Sequence, residues 1–457
     1  MSEQIVYRPA PPATWRGQAL ATARLAGPVI VARAGMLVLA AVDTIMTGRA
    51  GPAELASFGI GMAPQVSLML IGIGCLLGTG ILVAQAYGAG EHARCGAIWR
   101  VAVWHAGALG ILMSGVCLLG EPFLSAIGQD PELARGGGEV LAMFSWSMPA
   151  IMIYVATSSF LEAIGKPRPG MIAMLFANIA NVALNWIFIY GNMGAEPMGA
   201  NGAAFATSIV RWCMAIGLVA YCLLWLPGRR GFGLFERTAE WRTIGAKLRR
   251  LGLPLGVAQG LETTAFMAVA MFAGYLGQAA MAGYQVAINL VSMIFMGAIG
   301  LATATAVQVG QAVGRGDQLG LRLAGWIGFI LVALVMGLLG LLVGLYPGAL
   351  AGVYTSDQLV LRLAVEALAV GALFLVFDGA QAVLMGATRG AGDVVVPLFL
   401  QGAAFWLLAV PAAWLCGLKL ELGPAGLMLG LFLGVIASSS TLAWRFWVVS
   451  RRVVRRI

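Results

Sequence analysis

Twelve long apolar stretches limit this chain to one kind of architecture. Each is long enough for a helix to cross a bilayer, which takes about 20 residues, and charged or Gly/Pro-rich breaks separate them. Hydrophobic residues make up 60% of the sequence and charged residues 10%, against about 45 to 50% and about 25% in soluble domains. The sequence therefore predicts an all-α membrane protein. The predicted spans are 26–48, 53–87, 95–119, 134–160, 170–190, 200–226, 250–275, 280–312, 322–346, 358–386, 394–417 and 424–447.

Positive charge predicts the orientation. An even number of spans puts both termini on one side, and most of the 28 Lys and Arg residues fall there. Loops on the cytoplasmic side carry the excess of such residues, so we expect both termini in the cytoplasm and the protein in the cell inner (plasma) membrane. Arg8 precedes the first span with no small-residue cleavage site after it, so that span is predicted to be retained. The opposite loops hold Arg49, Arg135, Arg362 and Lys419.

The net charge of +9 follows from this topology and from contact with anionic lipid headgroups. No nucleic-acid partner is expected. The six cysteines have no spacing typical of a disulfide framework or a zinc site. We therefore predict no cofactor, and we expect a monomer in the lipid bilayer.

The second half of the chain repeats the first. A shift of 226 residues aligns Gly74 with Gly300 and the segment 83–90 with 309–316. One constant offset across two helices predicts two copies of a six-helix unit. Because six is even, both copies enter the membrane from the same side, so the sequence predicts two lobes related by a pseudo-two-fold axis along the membrane normal.

The repeat sets the predicted domain boundaries. The N-terminal lobe takes residues 1–226 with helices 1 to 6, and the C-terminal lobe takes 250–457 with helices 7 to 12. Residues 227–249 form a basic cytoplasmic linker. We interpret it as ending in an amphipathic helix on the bilayer surface.

Three acidic side chains lie inside the apolar stretches: Asp43, Glu262 and Asp378. A carboxylate at the bilayer centre costs about 2.5 to 3.5 kcal/mol on insertion scales, so its presence predicts a function. At about 1.5 Å per residue, Glu262 and Asp378 both lie roughly 12 to 16 Å above the cytoplasmic ends of helices 7 and 10. Asp43 lies about 22 Å up in helix 1. The sequence therefore predicts a pair in the second lobe and a separate acid in the first.

Oxygen-bearing side chains accompany these acids. Two carboxyls in one pocket lose their protons as a coupled pair, and oxygen ligands suit alkali cations better than zinc or copper. We therefore predict that Glu262 and Asp378 hold a coupling proton or, as a metal ion, sodium. Asp43 is predicted as a third cation-coupling residue, and no residue is predicted to be catalytic. The supporting polar residues that we predict are Gln285, Asn289, Gln381, Gln259 and Asn181.

A purely structural role is the alternative for each acid, because a buried carboxylate can pair with a buried arginine. Arg33 and Arg211 lie within first-lobe spans and could hold Asp43 ionised. No second-lobe arginine lies at the depth of the predicted acid pair. Glu162 is interpreted only as a cytoplasmic helix end.

Several segments resemble the NorM-type branch of the multidrug and toxic compound extrusion (MATE) transporters. The resemblance covers nearly the whole chain, from about residue 20 to 445. Twelve spans, a duplication and three intramembrane acids are together more specific than any single motif. The matching segments are Val42–Gly48, the surroundings of Glu262, Tyr284–Asn289, Phe377–Gln381 and Asn185–Gly191.

The resemblance implies an antiporter that exports organic cations and amphiphilic drugs by alternating access, driven by sodium or proton entry. It also implies that Glu262 and Asp378 serve the coupling cation and that Asp43 contributes to cation or substrate handling. Another branch of the family uses an acid pair across helices 1 and 5. Helix 5 here has Asn178, Asn181 and Asn185 instead.

Two other functions stay open at this point. The first is a flippase for lipid-linked oligosaccharides or other amphiphilic lipids, which should carry a cationic cleft for pyrophosphate, and only Arg33 and Arg211 hint at one. The second is an intramembrane aspartyl protease, because the segment 390–393 has its Gly-x-Gly-Asp string. That string falls in a predicted cytoplasmic loop without a second acid beside it.

Overall fold

The computed structural model describes residues 14–236, 239–454 and 456–457. Arg8 in the N-terminal arm, Arg237 in the linker and Arg455 in the tail lie outside the described residues. Within the described ranges, all regular secondary structure is helical. This is expected where lipid surrounds the chain, because a helix satisfies its backbone polar groups internally.

Twelve long helical segments account for the predicted spans. Eleven described helices are long and apolar enough to cross a membrane, and a bent pair makes twelve when it is counted as one span. The first repeat contains α1 Trp15–Ala50, α2 Pro52–Gly88, α3 His92–Cys117, α4 (Pro131–Ser145 with Met148–Ala163), α5 Arg168–Phe188 and α6 Gly199–Trp225. The second repeat contains α7 Trp241–Tyr275, α8 Gln278–Arg315, α9 Gln318–Leu345, α10 Gln358–Gly390, α11 Val395–Lys419 and α12 Gly423–Arg451.

The helix α4 bends by 47° between its two halves. Pro149 lies at the start of the second half, and since proline has no backbone N–H, the carbonyl of Ser145 loses its helical donor. The hydroxyl of Ser114 on α3 donates to that carbonyl at 2.5 Å. The bend is therefore satisfied by a neighbouring helix, as a lipid environment requires.

The first helix of each repeat is longer than predicted. The helix α1 has 36 residues and α7 has 35, and both continue through a proline, Pro28 and Pro254 respectively. The sequence suggested that the linker ends in a separate amphipathic helix. The described linker residues contain no such helix. Trp241 and the basic residues after it form the first turns of α7 itself, because one missing hydrogen bond at Pro254 does not end a helix that neighbours support.

The linker packs against the first repeat rather than standing free. Its short 3-10 turn, Arg229–Phe232, buries the Phe232 ring, which contacts the rings of His92 and Phe160 at centroid distances of 5.5 and 5.9 Å. Arg100 on α3 donates to the carbonyl of Gly233. The start of α3 therefore holds the linker in place.

Contacts group the chain into two compact units. Among the described residues, one unit is Val31–Gly256, and the other combines residues 14–30 with Val257–Ile457. Each unit therefore takes the first part of one long helix from the other repeat, α7 in the first unit and α1 in the second. The units differ from the predicted lobes at these two helices.

Glycines allow the helix crossings that produce this grouping. In the first unit, a Cβ added at Gly74 on α2 would lie 2.9 Å from the Cα atom of Gly256 on α7. In the second unit, the equivalent Gly300 on α8 faces Ile30 and the carbonyl of Ala26 on α1. Only glycine permits such close backbone approach. The repeat, with its offset of 226 residues, is therefore present in the helix packing as well as in the sequence.

Each unit has its own apolar core. Phe58, Phe144 and Ile189 are buried together in the first unit, and Phe374 and Phe405 belong to a larger cluster in the second. Close-packed side chains of this kind hold the backbone rigidly. The polar side chains described next are therefore held in place by packed helices.

Candidate functional site

Asp43 lies on α1 and is only 2% exposed. The side-chain amides of Asn185 and Asn181 donate to its Oδ1 at 2.7 and 3.0 Å, and the hydroxyl of Thr207 donates to its Oδ2 at 2.6 Å. Both carboxyl oxygens are therefore satisfied. Hydrogen bonds to an ionised group are short and strong, so three neutral donors stabilise a charge that hydrocarbon disfavours.

The donors to Asp43 form a network of their own. Asn181 and Asn185 are four residues apart on α5, so they share one face of the helix. The amide of Asn185 donates to Oδ1 of Asn181 at 3.2 Å, and the amide of Asn181 donates to Thr207 on α6 at 2.9 Å. The structure thus joins Asp43 to Asn181, one of the predicted supporting residues. Thr207 was missed, although a threonine within an apolar span is a visible polar position.

Two oxygens in this region have no hydrogen-bond partner among the described residues. They are Oγ1 of Thr47, one turn after Asp43 on α1, and Oδ1 of Asn185. A buried polar atom without a partner costs free energy. Carboxylate, hydroxyl and amide oxygens are also the ligands that suit alkali cations, so this region has the chemistry to accept a cation or a proton.

Arg33 pairs with Glu162 rather than with Asp43. Its Nη2 lies 4.0 Å from Oε1 of Glu162, and the two side chains are 13% and 8% exposed. The hydroxyl of Ser158 also donates to Oε1 at 3.0 Å. Glu162 does end a helix, but it is a buried counter-ion and not a solvated helix end.

Arg211 is buried on α6, one turn after Thr207. With its amide oxygen turned toward the guanidinium, Gln65 accepts from Nη1 and Nη2 at 3.0 and 3.2 Å. Nη1 also donates to Ser147 at 3.2 Å, and the Phe144 ring lies 5.1 Å away. In the part of the chain that the structure describes, no carboxylate lies within ion-pair distance of Arg211. Arg33 is paired with a carboxylate, and Arg211 is buried against Gln65 and Phe144. The two arginines therefore do not support the flippase alternative, which needs a cationic cleft.

The predicted acid pair of the second repeat lies within one unit. Asp378 on α10 is 4% exposed, and Glu262 on α7 is partly buried. Both belong to the unit that contains Val257–Ile457, and counting residues along the helices gives the two carboxyls similar heights. Two like charges repel strongly in a low-dielectric region. A proton or a cation shared between them would relieve that repulsion.

Gln401 on α11 is a partner that the sequence analysis missed. Its amide donates to Oε2 of Glu262 at 3.1 Å, and it is almost fully buried. The indole of Trp406 donates to the carbonyl of Leu261 at 3.1 Å, which fixes α11 against α7. A single glutamine in the first third of an otherwise apolar span was the signal for this residue.

Gln381 and Gln259 lie near the two acids along their helices. Gln381 follows Asp378 by three residues, so both share a face of α10, and its buried Oε1 has no partner among the residues described. Gln259 is partly buried one turn before Glu262, and its carbonyl accepts the hydroxyl of Thr263 at 2.8 Å. Gln381 is therefore a predicted supporting residue whose side-chain oxygen is available to a ligand.

Gln285 and Asn289 are exposed on α8. The amide of Asn289 donates to the carbonyl of Gln285 at 2.9 Å, a bond within one helical turn. The structure does not bond either residue to Glu262 or Asp378. Their predicted supporting role stays a prediction.

Asp393, the acid of the Gly-x-Gly-Asp string, has a structural partner. It follows the end of α10 and accepts from Nε of Arg445 on α12 at 2.6 Å. Such a partly buried, hydrogen-bonded ion pair ties a loop to a helix. The protease alternative therefore loses its candidate acid.

A helical membrane protein with two six-helix repeats and acids buried in its spans has the architecture of a secondary transporter. The family model MatE matches the chain twice, over residues 28–187 and 254–415. The chain belongs to this family. The two matches begin 226 residues apart, which confirms the duplication and its offset, and they confirm the family resemblance.

The similar proteins cover almost the whole chain. A relative from Caulobacter vibrioides named probable multidrug resistance protein NorM is 33% identical over 94% of this chain and 91% of its own length. A relative of the same name from Xanthomonas campestris pv. campestris is 34% identical over 94% of both chains. The crystal structure of the eukaryotic MATE transporter AtDTX14 has a TM-score of 0.88 at 19% identity, covering 96% of this chain and 98% of that one. That structure confirms the predicted fold class.

Proposed function

We propose that this protein is a cation-coupled multidrug antiporter, which exports organic cations and amphiphilic drugs by alternating access. The observation that carries the coupling proposal is the burial of Asp378 in the same compact unit as Glu262, whose carboxyl accepts from the buried amide of Gln401. Family membership and the names of the relatives support the drug substrates. The protein would act in the inner membrane with both termini in the cytoplasm, as a monomer without cofactor or nucleic-acid partner and without enzymatic activity.

The proposed coupling follows from linkage. If the outward-facing state binds a cation at Asp378 and Glu262 more tightly, cation entry shifts the population toward that state. If cation binding also weakens drug binding, the same shift releases drug outside. Each elementary charge that crosses the membrane contributes about 2.3 kcal/mol per 100 mV. Sodium and protons both satisfy this scheme.

Gln401 and Gln381 would complete the coupling site. The amide of Gln401 holds one oxygen of Glu262 in place, and the unpaired oxygen of Gln381 lies on the same helix face as Asp378. Together with the carboxyls, these groups offer the oxygen ligands that an alkali ion requires. Asp43 would form a separate cation-binding position in the first unit.

Efflux from proteoliposomes tests the proposal. A fluorescent organic cation is loaded, and a sodium gradient or a pH gradient is imposed separately. Asp378→Asn and Glu262→Gln should abolish gradient-driven efflux while the protein stays folded and inserted. The matched control is Glu366→Gln, an exposed acid of the same repeat, which should transport normally. Undiminished efflux in both acid variants would contradict the coupling role.

A further inference from the structure

A groove of about 760 Å³ opens in the unit Val31–Gly256, lined by α2, α3 and the first turns of α7. It shares no lining residue with the Asp43 network. Its volume falls in the range of small-molecule sites, about 300 to 1,000 Å³. Nothing in the proposed transport cycle uses it.

One end of the groove is apolar. Leu109 and Leu112 on α3 face Leu253 on α7, with Cys75 and Leu76 contributed by α2. Leu112 and Leu253 are largely exposed. Exposed leucines on spanning helices suit contact with hydrocarbon rather than with water.

The other end of the groove carries the positive charge of Arg249. Nη1 of Arg249 lies 2.9 Å from Nε2 of His105, and Nδ1 of His105 lies 2.8 Å from the carbonyl of Val101. Because a carbonyl only accepts, Nδ1 carries the proton, and Nε2 accepts from the guanidinium. The guanidinium of Arg249 is therefore the cationic group at this end of the groove. Among the residues that the structure describes, Arg249 has no ion pair.

The polar and apolar ends are ordered along the helices. The helices α3 and α7 are the third and seventh spans, so both cross the membrane in the same direction. Leu112 lies about 10 Å farther along α3 than His105, and Leu253 lies about 6 Å farther along α7 than Arg249. The cationic end thus lies nearer the membrane surface at which α3 and α7 begin, and the apolar end lies nearer the bilayer centre. This is the polarity of a lipid in that leaflet.

Charge complementarity selects the occupant. The first turns of α7 carry Arg242, Lys247, Arg249 and Arg250 and no acid. Clusters of basic residues beside a membrane attract anionic headgroups, whereas an organic cation would be repelled. We propose that the groove binds a glycerophospholipid with an anionic headgroup, its phosphate at Arg249 and one acyl chain along Leu109, Leu112 and Leu253.

Gly245 is what brings the guanidinium and the imidazole together. A Cβ at this position on α7 would lie 2.9 Å from Cε1 of His105 and 3.3 Å from Nη1 of Arg249. Glycine leaves that space open. The lipid phosphate would therefore meet a guanidinium whose position His105 fixes, and the bound lipid would join the first turns of α7 to α3.

Native mass spectrometry of the full-length protein tests the proposal. The protein is purified from bilayers of equal phosphatidylglycerol and phosphatidylcholine, and the retained lipids are counted. Wild type should retain phosphatidylglycerol preferentially, and Arg249→Gln should reduce that preference about fivefold, the effect of one basic residue near a surface. Arg250→Gln is the matched control, because it removes the same charge from the next residue, which does not line the groove.

Two further arms localise the lipid. Leu112→Trp should fill the apolar end and reduce phosphatidylglycerol retention without changing the charge. Trp104 lines the groove and is 81% exposed, so phosphatidylglycerol with brominated acyl chains should quench its fluorescence more than brominated phosphatidylcholine does. The Trp104→Phe variant defines the background from the other tryptophans.

Three results would overturn the proposal. Equal loss in Arg249→Gln and Arg250→Gln would indicate diffuse attraction to the membrane surface. Equal retention of both lipids by wild type would remove the headgroup preference. Displacement of the lipid by glycerol 3-phosphate at matched concentration would assign the site to a free phosphate ester. Arg249→Lys keeps the charge and should retain the preference for phosphatidylglycerol. This variant separates a binding defect from misfolding. None of these outcomes depends on drug export.

Discussion

The amide of Asn185 donates to the carboxylate of Asp43 across 2.7 Å, while its own oxygen has no partner among the described residues. Asn181 and Thr207 add two more neutral donors. A neutral donor holds a carboxylate in place without cancelling its charge, whereas an arginine in contact would neutralise it. Asp43 is therefore positioned by neutral hydrogen-bond donors, and it forms no ion pair among the residues that the structure describes.

We expect Thr207→Val to weaken this arrangement and Thr207→Ser to preserve it. Valine has nearly the same shape but cannot donate to Oδ2 of Asp43, and a hydrogen bond to a charged group contributes about 1.5 to 3 kcal/mol. Thermal unfolding in detergent should show a lower melting temperature for Thr207→Val, and gradient-driven efflux should fall with it. Serine keeps the hydroxyl, so its efflux should stay near wild type. Equal melting temperatures and equal efflux in the two variants would show that the hydroxyl of residue 207 is not required.

The height of Asp43 in α1 and the supporting residue Asn181 could be predicted from sequence, but the contact between them could not. Counting residues along a helix gives a height in the membrane, whereas the direction of a side chain depends on how neighbouring helices rotate and pack. Arg33 and Arg211 had suitable heights, yet Arg33 faces Glu162 and Arg211 faces Gln65. Asn181 and Asn185 were visible on one face of α5, but nothing local indicates which helix that face meets.

We expect Gln401→Leu to impair coupling more than Gln259→Leu does. Gln401 donates to Glu262 from α11, so its loss leaves that carboxyl without its amide donor. Gln259 lies one turn from Glu262, and its backbone carbonyl, which leucine retains, accepts from the hydroxyl of Thr263. The measurement is the sodium or proton concentration that gives half-maximal efflux in proteoliposomes. A larger shift for Gln259→Leu would reverse the assignment of the supporting amide.

In the second repeat, too, the sequence predicts the heights of the acids but not all of their partners. The heights of Glu262 and Asp378 predict that they lie at one level, and the structure has both in one compact unit. Gln285 and Asn289 also had suitable chemistry, but both are exposed on α8. Gln401 was overlooked because its span carries no acid, although a buried amide in lipid needs a partner as much as an acid does.

We expect Glu162→Gln to destabilise the protein far more than Glu366→Gln. The first change leaves Arg33 buried without its counter-ion, which costs about 3 to 5 kcal/mol for buried pairs, and the 4.0 Å separation favours the lower end of that range. The Arg362–Glu366 pair is 79% and 44% exposed, and exposed pairs contribute about 0 to 1 kcal/mol. Chemical or thermal unfolding in detergent measures both. The double variant Arg33→Gln with Glu162→Gln should recover part of the loss, and no recovery would mean that the two charges do not act as a pair.

The crossing of α2 and α7 predicts an asymmetric response to adding a single methyl group. A Cβ at Gly252 would contact the carbonyl oxygen of Cys75 on α2, whereas nothing lies within 4 Å of a Cβ at Gly274 on the same helix. Gly252→Ala should therefore push the two backbones apart and cost about 1 to 3 kcal/mol, as overpacking does. Gly274→Ala should be neutral or stabilising by up to about 1 kcal/mol, because alanine favours a helix over glycine. Melting temperatures of the two variants test this directly. Because α2 and the first part of α7 belong to one compact unit, Gly252→Ala should also slow gradient-driven efflux. If this variant transports and melts like wild type, the close approach at Gly252 is dispensable.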